Sequence, residues 1–570
     1  MGAFKEPHGG VLRELYLGEA TADEEKVKAL DYASWDLTER QLCDIELILN
    51  GAFSPLEGFL TRQDYDAVLK DMRLSSGLIW PIPITLDVTP AFAETVSEGE
   101  TIALRDREGV LIATMTIQDI WSPDKAREAA AVFGSEDEGH PGVHYLFHHV
   151  NEAYIGGPLK GVEPPSHYDF QLLRDSPSEL RGRFRKLGWR RVVAFHTRKP
   201  MHRAQQELTF RAAREHGANL LIHPAVGMAR PGDVDHYTRV RCYEKILHRY
   251  PEQTTALSVL NLAIRMAGPR EALWHAIIRK NFGCTHMLVG RDHAGPGEAA
   301  DGKPFYPPDA AQALFRQHED ELDIAMVPFE QMVYVEDKAQ YLPVKETTPD
   351  MKVMAVSGTE FRRRLREGLE IPEWYSYPEI IEELRRLHPP RHKQGFTVFF
   401  TGLSSAGKST IAKALLVKLL ENGDRRVTLL DGDVVRKNLS SELGFSREHR
   451  DLNILRIGYV AAEIAKNGGV AICAPIAPYR ATRRKVREAV EADGGFVEVY
   501  VATPLEVCEK RDRKGLYAKA RAGNLKGFTG IDDPYEEPER PEVVIDTQAL
   551  TPQLAAQRIF VKLESMGFIR

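Results

Sequence analysis

Five cysteines in 570 residues, Cys43, Cys242, Cys284, Cys473 and Cys508, form no CxxC pair. They are too few and too scattered for a disulfide framework or a structural zinc site, and they fit a reducing compartment. No uninterrupted apolar run approaches the roughly 18 residues that a membrane-spanning helix needs. The opening MGAFKEPHGG lacks a basic stretch followed by an apolar one, and Lys5, Glu6 and Pro7 do not supply the Ser or Thr of a myristoylation signal. A soluble, cytoplasmic protein is expected. An excess of positive charge is missing too: the net charge is −7, so neither nucleic acid nor a membrane surface is expected as a partner. Any anionic substrate must be met by local groups of Arg and Lys. Internal repeats and low-complexity tracts are also absent.

What is present is an ordinary globular composition, 43% hydrophobic and 28% charged, on a chain too long for a single core of about 100–200 residues. The pattern divides it into four parts of α/β multidomain character. Residues 1–170 are mixed and β-rich, with strand-like runs at Pro81–Asp87, Thr101–Arg105 and Val110–Thr116. In 171–330 short apolar runs at Arg191–Phe195, Asn219–His223, Thr255–Val259 and Thr285–Val289 alternate with helical stretches, which predicts a parallel α/β sheet. Residues 331–390 read as a small helical domain, and Pro389–Gln394 as a stiff polar linker. In 391–570, runs at Thr397–Thr401, Val427–Asp431, Val470–Ala474, Val497–Ala502 and Val543–Ile545 predict a second doubly wound α/β sheet.

Gly402-Leu-Ser404-Ser405-Ala406-Gly407-Lys408-Ser409 fits GxxxxGK[ST] and lies between the run Phe396–Thr401 and a helical stretch, Ile411–Leu420. A glycine-rich turn there lets backbone N–H groups surround phosphates, and the helix N-terminus adds positive potential. Lys408 would reach the β/γ-phosphates of ATP, the Ser409 hydroxyl would ligate Mg²⁺, and Thr410 beside it belongs to the nucleotide site. Such a loop establishes a nucleotide site but not the acceptor of the phosphate.

The acceptor is read from the residues downstream. Asp431-Gly-Asp433-Val-Val-Arg436 ends the next strand, followed by Gly444-Phe445, Arg450-Asp-Leu-Asn453 and, late in the chain, Lys514–Arg521 and Lys526-Gly-Phe528-Thr-Gly530. These stretches, in this order around the P-loop, resemble adenylyl-sulfate (APS) kinase over nearly all of 395–570. The resemblance implies that Asp433 is the catalytic carboxylate, acting on the ribose 3′-hydroxyl and helping Ser409 to hold Mg²⁺, with Asp431 beside it. It implies that Arg436, Arg450, Asn453 and Lys526 bind APS, that Phe445 and Phe528 sandwich its adenine, and that Arg511 stacks on the ATP adenine. The Gly- and Lys-rich stretch 514–529 suits a closing lid. Singly, each has a plainer reading: a turn aspartate, a core phenylalanine, an exposed helix arginine. Ala477 stands where kinases of this family typically carry serine.

Residues 1–390 resemble ATP sulfurylase, with a PUA-like N-terminal domain and a Rossmann-like nucleotidyltransferase domain. Leu37–Asp44, Gly51–Gly58, Gly268–Asn281, Gly290-Arg291-Asp292-His293-Ala-Gly-Pro296 and Ser357–Arg362 carry this resemblance. The family's signature loop, Gln-x-Arg-Asn-Pro-x-His-x-x-His, reads here His196-Thr197-Arg198-Lys199-Pro200-Met201-His202-Arg203-Ala204-Gln205. Arg198 and His202, the catalytic candidates, are in place; His196, Lys199 and Gln205 are replacements. His196, Thr197, Lys199, Gly290, Arg291, Asp292 and His293 are the implied substrate contacts. All three replacements still carry hydrogen-bond donors. Against that, one misplaced donor typically costs about 10²–10³ in rate, and three positions have changed.

The reading taken is an APS kinase that makes 3′-phosphoadenylyl sulfate (PAPS), fused to a sulfurylase-like domain of doubtful activity. Its alternatives are a two-step PAPS synthetase and a sulfurylase regulated by a non-catalytic, PAPS-sensing kinase-like domain. ATP and APS are the expected ligands, with sulfate if the first site works, and a homo-oligomer is expected because both families assemble.

Overall fold

The computed structural model describes residues 5–228, 233–299, 302–387, 389–423, 425–512 and 514–570, and leaves the side chains of Leu387 and Asp433 outside that description. The chain divides into two compact units, residues 1–356 with 372–383, and residues 357–371 with 384–570. No described helix is long and apolar enough to cross a membrane.

The first unit begins with a seven-stranded sheet. Its strands run Ala33–Asp36, Thr101–Arg105, Leu111–Thr116, Ala153–Gly161 and Gly58–Phe59, while Leu86–Val88 and Asp119–Trp121 also pair with Ala153–Gly161. The run Pro81–Asp87 is a strand only at its end, from Leu86. Pro81 and Pro83 have no N–H to give to a ladder, so the segment before it stays irregular. Next comes a parallel sheet in the order Thr255–Leu257, Asn219–Ile222, Val192–Phe195, His286–Val289, Ala325–Pro328. From Val192–Phe195 the chain winds outward one way and then returns to the other side at His286–Val289. The gap between the carboxyl ends of these two strands is therefore a topological switch point, where open α/β sheets bind ligands.

The helix Gly268–Asn281 is buried on nearly every face, so its polar row of Glu271, His275 and Arg279, spaced four apart on one face, points into protein and not into solvent. Trp274 on it packs 5.1 Å from Phe53, which in turn lies 5.9 Å from Trp80. This aromatic core fixes the helix, and with it the buried polar residues Glu271, His275 and Arg279.

The segment 331–390, expected to be helical, has its two α-helices, Gly358–Glu367 and Pro378–Leu387, in its second half only. Its first half is a three-stranded antiparallel sheet of Gln340–Pro343, Met332–Val335 and Val353–Met354. Strands this short leave too little alternation to be told from loop.

The second unit carries a parallel sheet in the order Val427–Asp431, Val470–Ala474, Phe396–Thr401, Gly495–Val501, Val543–Ile545. The central strand is buried at all six residues. Gly395 precedes it because a Cβ there would lie 2.0 Å from the Ala465 carbonyl oxygen. The loop Gly402–Gly407 leaves the centre of the sheet and opens the helix Lys408–Asn422.

Candidate active sites

In the second unit the P-loop turns on backbone with positive φ at Gly402 (144°), Ser405 (58°) and Gly407 (110°). A side chain at Gly402 would also meet the Val501 carbonyl oxygen at 2.7 Å, so the loop needs glycine there for space as well as for conformation. Lys408 is buried, and its Nζ donates to the carbonyl oxygens of Gly402 (2.9 Å) and Leu403 (2.7 Å). The ammonium thus lies folded against the loop it would serve. Ser409 and Thr410 are exposed in the first helical turn. Arg511 Nη1 donates to Thr547 Oγ1 at 2.7 Å, and Thr547 and Thr503 both donate to the carbonyl oxygen of Ala406. Sequence alone missed this pair of threonines, which moors Arg511 beside the loop.

The acceptor-side residues fall into two groups. Arg436 Nη1 donates to the carbonyls of Leu443 and Gly444, and its guanidinium lies 4.3 Å from the ring centroid of Phe445, which is 63% exposed. Arg450 Nη1 donates to Thr529 Oγ1 and Asp533 Oδ2, both at 2.8 Å, and Tyr479 donates to the same carboxylate. Phe528 packs edge-on against Tyr517, whose hydroxyl donates to the Ser404 carbonyl, so the late segment is tied to the P-loop. Lys526 is exposed on that segment. Asn453 is buried, and its Oδ1 and the Nε of Arg450 have no hydrogen-bond partner. Asp431 ends its strand half-buried. The side chain of Asp433 lies outside the described residues, although its backbone sits in the helix Gly432–Leu439. Ala477 is 1% exposed at φ 47°, and its carbonyl accepts from Thr401 and Arg483.

In the first unit the loops 196–202 and 290–296 follow the two strands that flank the switch point. His196 leaves the strand with its Nδ1 accepting from Arg279 Nη2 at 2.6 Å. Its ring lies 4.3 Å from that of His275, and His275 Nδ1 is 2.9 Å from His293 Nε2. Burial, then the neighbouring imidazoles and Arg279, hold His196 neutral, and burial, helped by Arg279 against the pull of Glu271, brings His293 down to about 4. The Arg279 guanidinium, wholly buried, falls to about 9 for the same reason. Arg198 lies part-buried, with Nη1 3.6 Å from Asp233 Oδ2 and without a hydrogen bond. Thr197 Oγ1 closes the turn by accepting from the Lys199 N–H, and Tyr243 donates to the Lys199 carbonyl; the Lys199 side chain is exposed. Burial pushes Asp292 up, against the opposing pull of Lys199 and Arg198.

Two of the sequence-based site residues, Arg291 and His202, and the signature-loop replacement Gln205 each have a partner of their own. Arg291 points outward into an ion pair with Asp309 at 2.8 Å. Gln205 Oε1 accepts the backbone N–H of His202 at 3.0 Å, capping the helix Arg203–Glu215, so this replacement is a helix-start residue. His202 is held by Ser376, with Nδ1 2.8 Å from its Oγ, and burial lowers it to about 4. Ser376, His275 and Arg279 went unassigned in the sequence. The available signal was the pair His275 and Arg279, four residues apart in a helix whose middle, Ala272–Ile278, is otherwise apolar.

Three family models cover the chain in order: a PUA-like domain over residues 5–164, ATP-sulfurylase over 171–387 and adenylylsulphate kinase over 394–546. A sulfate adenylyltransferase of Phaeosphaeria nodorum is 53% identical over 99% of both chains, as is one of Mycosarcoma maydis. The solved structure of a hexameric APS kinase from Thiobacillus denitrificans matches all of both chains at 41% identity, with a TM-score of 0.81. Identity of this extent, with the P-loop and the altered signature loop each at a central strand end, means that the chain belongs to the sulfate adenylyltransferase family, in the form that joins an ATP-sulfurylase part to an adenylylsulphate-kinase part.

Proposed function

We propose that the second unit is an APS kinase, transferring the γ-phosphate of ATP to the ribose 3′-hydroxyl of APS to give PAPS and ADP. The observation that carries this reading is the intact loop with Lys408 folded onto the carbonyls of Gly402 and Leu403. A triphosphate lying on the loop's N–H groups offers that ammonium a better acceptor than two neutral carbonyls. Ser409 and Asp433 would hold Mg²⁺. Hydroxyl and carboxylate oxygens are the hard donors this ion takes, and when bound it neutralises charge on the phosphates.

Arg436, Arg450 and Asn453 would take the anionic end of APS. The unpartnered Nε of Arg450 and the unpartnered end of the buried Asn453 amide, which can flip, support that role. Phe445 and Phe528 would flank the adenine, with Lys526 beside them. Asp433 would receive the hydroxyl proton as the 3′-oxygen bonds to the γ-phosphorus and the bond to the β–γ bridging oxygen breaks. In this reading the protein is cytoplasmic and a homo-oligomer, which the hexameric relative supports.

A second reading adds sulfurylase chemistry in the first unit, in which sulfate attacks the α-phosphorus of ATP and pyrophosphate leaves. It is favoured by the buried Arg198 Nη1 at the switch point, which makes no hydrogen bond and only a long, 3.6 Å ion pair with Asp233. It is also favoured by two of the three loop changes. Gln205 serves as a cap, and His196 keeps an N–H on the nitrogen that Arg279 does not occupy. The names of the fungal relatives point the same way.

The test follows pyrophosphate release from ATP, Mg²⁺ and sulfate on the full chain with pyrophosphatase present, alongside PAPS formation from added APS. No PAPS from added APS overturns the first reading. Sulfate-dependent pyrophosphate release that Arg198→Ala abolishes adds the second, and its absence removes it.

A further inference from the structure

Outside both sites, the segment Glu138–His149 carries an acidic residue and four further histidines on a short helix and the turn before it. His144 and His148 lie four residues apart on the helix Pro141–His148 and so share a face. Their rings are 4.5 Å apart. Glu138, in the preceding turn, already reaches this face, its Oε2 2.7 Å from His148 Nε2. One ligand atom from each of Glu138, His144 and His148 lies within 4.8 Å of the other two.

We propose that these three side chains form a binding site for a zinc-class divalent ion. Two imidazoles and one carboxylate are the donors such ions prefer, and three protein ligands leave a fourth position open. With ligand bonds of about 2.0–2.1 Å in a tetrahedron, neighbouring ligand atoms stand about 3.3 Å apart. The Glu138–His148 contact therefore has to open by only a fraction of an ångström, with the ion taking the place of the shared proton. His144 closes in by a rotation that its exposure allows.

The scaffold is better fixed than the exposed side chains suggest. The buried His140 accepts the N–H groups of Gly142 and Val143 on Nδ1 and meets Tyr306 through Nε2 at 3.1 Å, which locks the helix start. Gly142 lets the helix approach closely, since a Cβ there would lie 2.5 Å from the Phe133 ring. The turn carrying Glu138 is closed by Asp137 Oδ1 accepting the Gly139 N–H at 2.8 Å. Two ligands on one capped helix and a third on a closed turn give a site largely formed before the ion arrives. Glu138 and His144 also belong to the wall of a cavity of about 390 Å³, together with Arg40, Tyr145 and Arg265. The open position has room on that side for water or an anionic ligand.

The test uses the full chain, stripped with a chelator and kept free of Mg²⁺ and nucleotide, and titrated with Co²⁺ as a coloured stand-in for Zn²⁺. One equivalent with visible d–d bands, displaced by Zn²⁺, is expected. Losing an outer-sphere partner already weakens metal sites about 10–100-fold, so His144→Ala and His148→Ala should each raise the Kd at least ~10-fold. Glu138→Gln should weaken binding less. PAPS formation from APS should be unchanged in all three, and an unchanged urea midpoint of the first unit reports that they fold. No metal retained after gel filtration overturns the proposal. So does one equivalent that survives undiminished in the His144→Ala/His148→Ala double variant.

Discussion

Arg279 Nη2 donates to His196 Nδ1 across 2.6 Å, inside a buried group that also holds His223, His275 and His293. A guanidinium cannot accept a hydrogen bond, so His196 carries its proton on Nε2 and is a neutral donor at the strand end. Nitrogen-15 spectra of the labelled histidines should show this tautomer with no titration from pH 8 to pH 5. A protonation step for His196 in that range would show that the contact does not hold it neutral.

The same burial makes the first unit sensitive to acid. His8, His140, His202, His286 and His293 are lowered to about 4, chiefly by burial, and burial also holds His196, His223 and His275 well below the ordinary value. Below the ordinary histidine value of roughly 6.5 the unfolded chain binds protons that the folded unit refuses. Stability is thus present above that value and is lost as pH falls toward about 4, by ~1.4 kcal/mol per group per pH unit. Glu128, Glu271, Asp175 and Asp292, raised by burial, act in the opposite sense, but four carboxyls face eight imidazoles. The urea midpoint of this unit should drop clearly between pH 7.5 and pH 5; an unchanged midpoint would contradict the argument.

Lys408→Ala should lower kcat for PAPS formation by about 10²–10³, the usual loss when one fixed donor to a transferring group is removed. Far-ultraviolet circular dichroism should be unchanged, because the Lys408 ammonium bonds carbonyls of a loop and not of a helix or strand. A variant with more than a tenth of the normal kcat would take Lys408 out of the reaction.

Arg450 pairs with Asp533 at 2.8 Å while leaving its Nε free. Arg450→Lys keeps the charge and loses the fork. The KM for APS should rise ~10-fold or more while the KM for ATP moves little. An equal rise in both would mean that Arg450 shapes the fold of the late segment instead of holding APS.

Gln205→Ala should cost ~0.5–1 kcal/mol in urea unfolding through the lost cap of the helix Arg203–Glu215. Any sulfate-dependent pyrophosphate release should stay within a factor of about three, well short of the loss a substrate contact gives. A hundredfold loss with unchanged stability would make Gln205 a substrate contact and not a cap.

Much of the fold was legible along the chain. All five strands of the second unit and four of the five in the parallel sheet of the first lie where short apolar runs stand between helical stretches. Strands buried on both faces read as continuous Val, Ile and Leu. The fifth, Ala325–Pro328, and the small sheet after Met332 were not legible, because four-residue edge strands owe their form to a neighbour. The Pro81–Asp87 run misled for the opposite reason: its hydrophobicity serves burial without a ladder.

By itself the sequence determined the nucleotide loop, the two parallel sheets and the altered residues of the signature loop, since backbone demands on glycine and strand burial leave local marks. Only the tertiary structure decided what the side chains of the two loops touch. Gln205 turned out to be a cap and Arg291 half of an ion pair, while His196 is answered by Arg279, 83 residues away in the chain. A side chain's protonation and direction depend on the groups packed around it, and those arrive from distant elements once the core around Trp274 has closed.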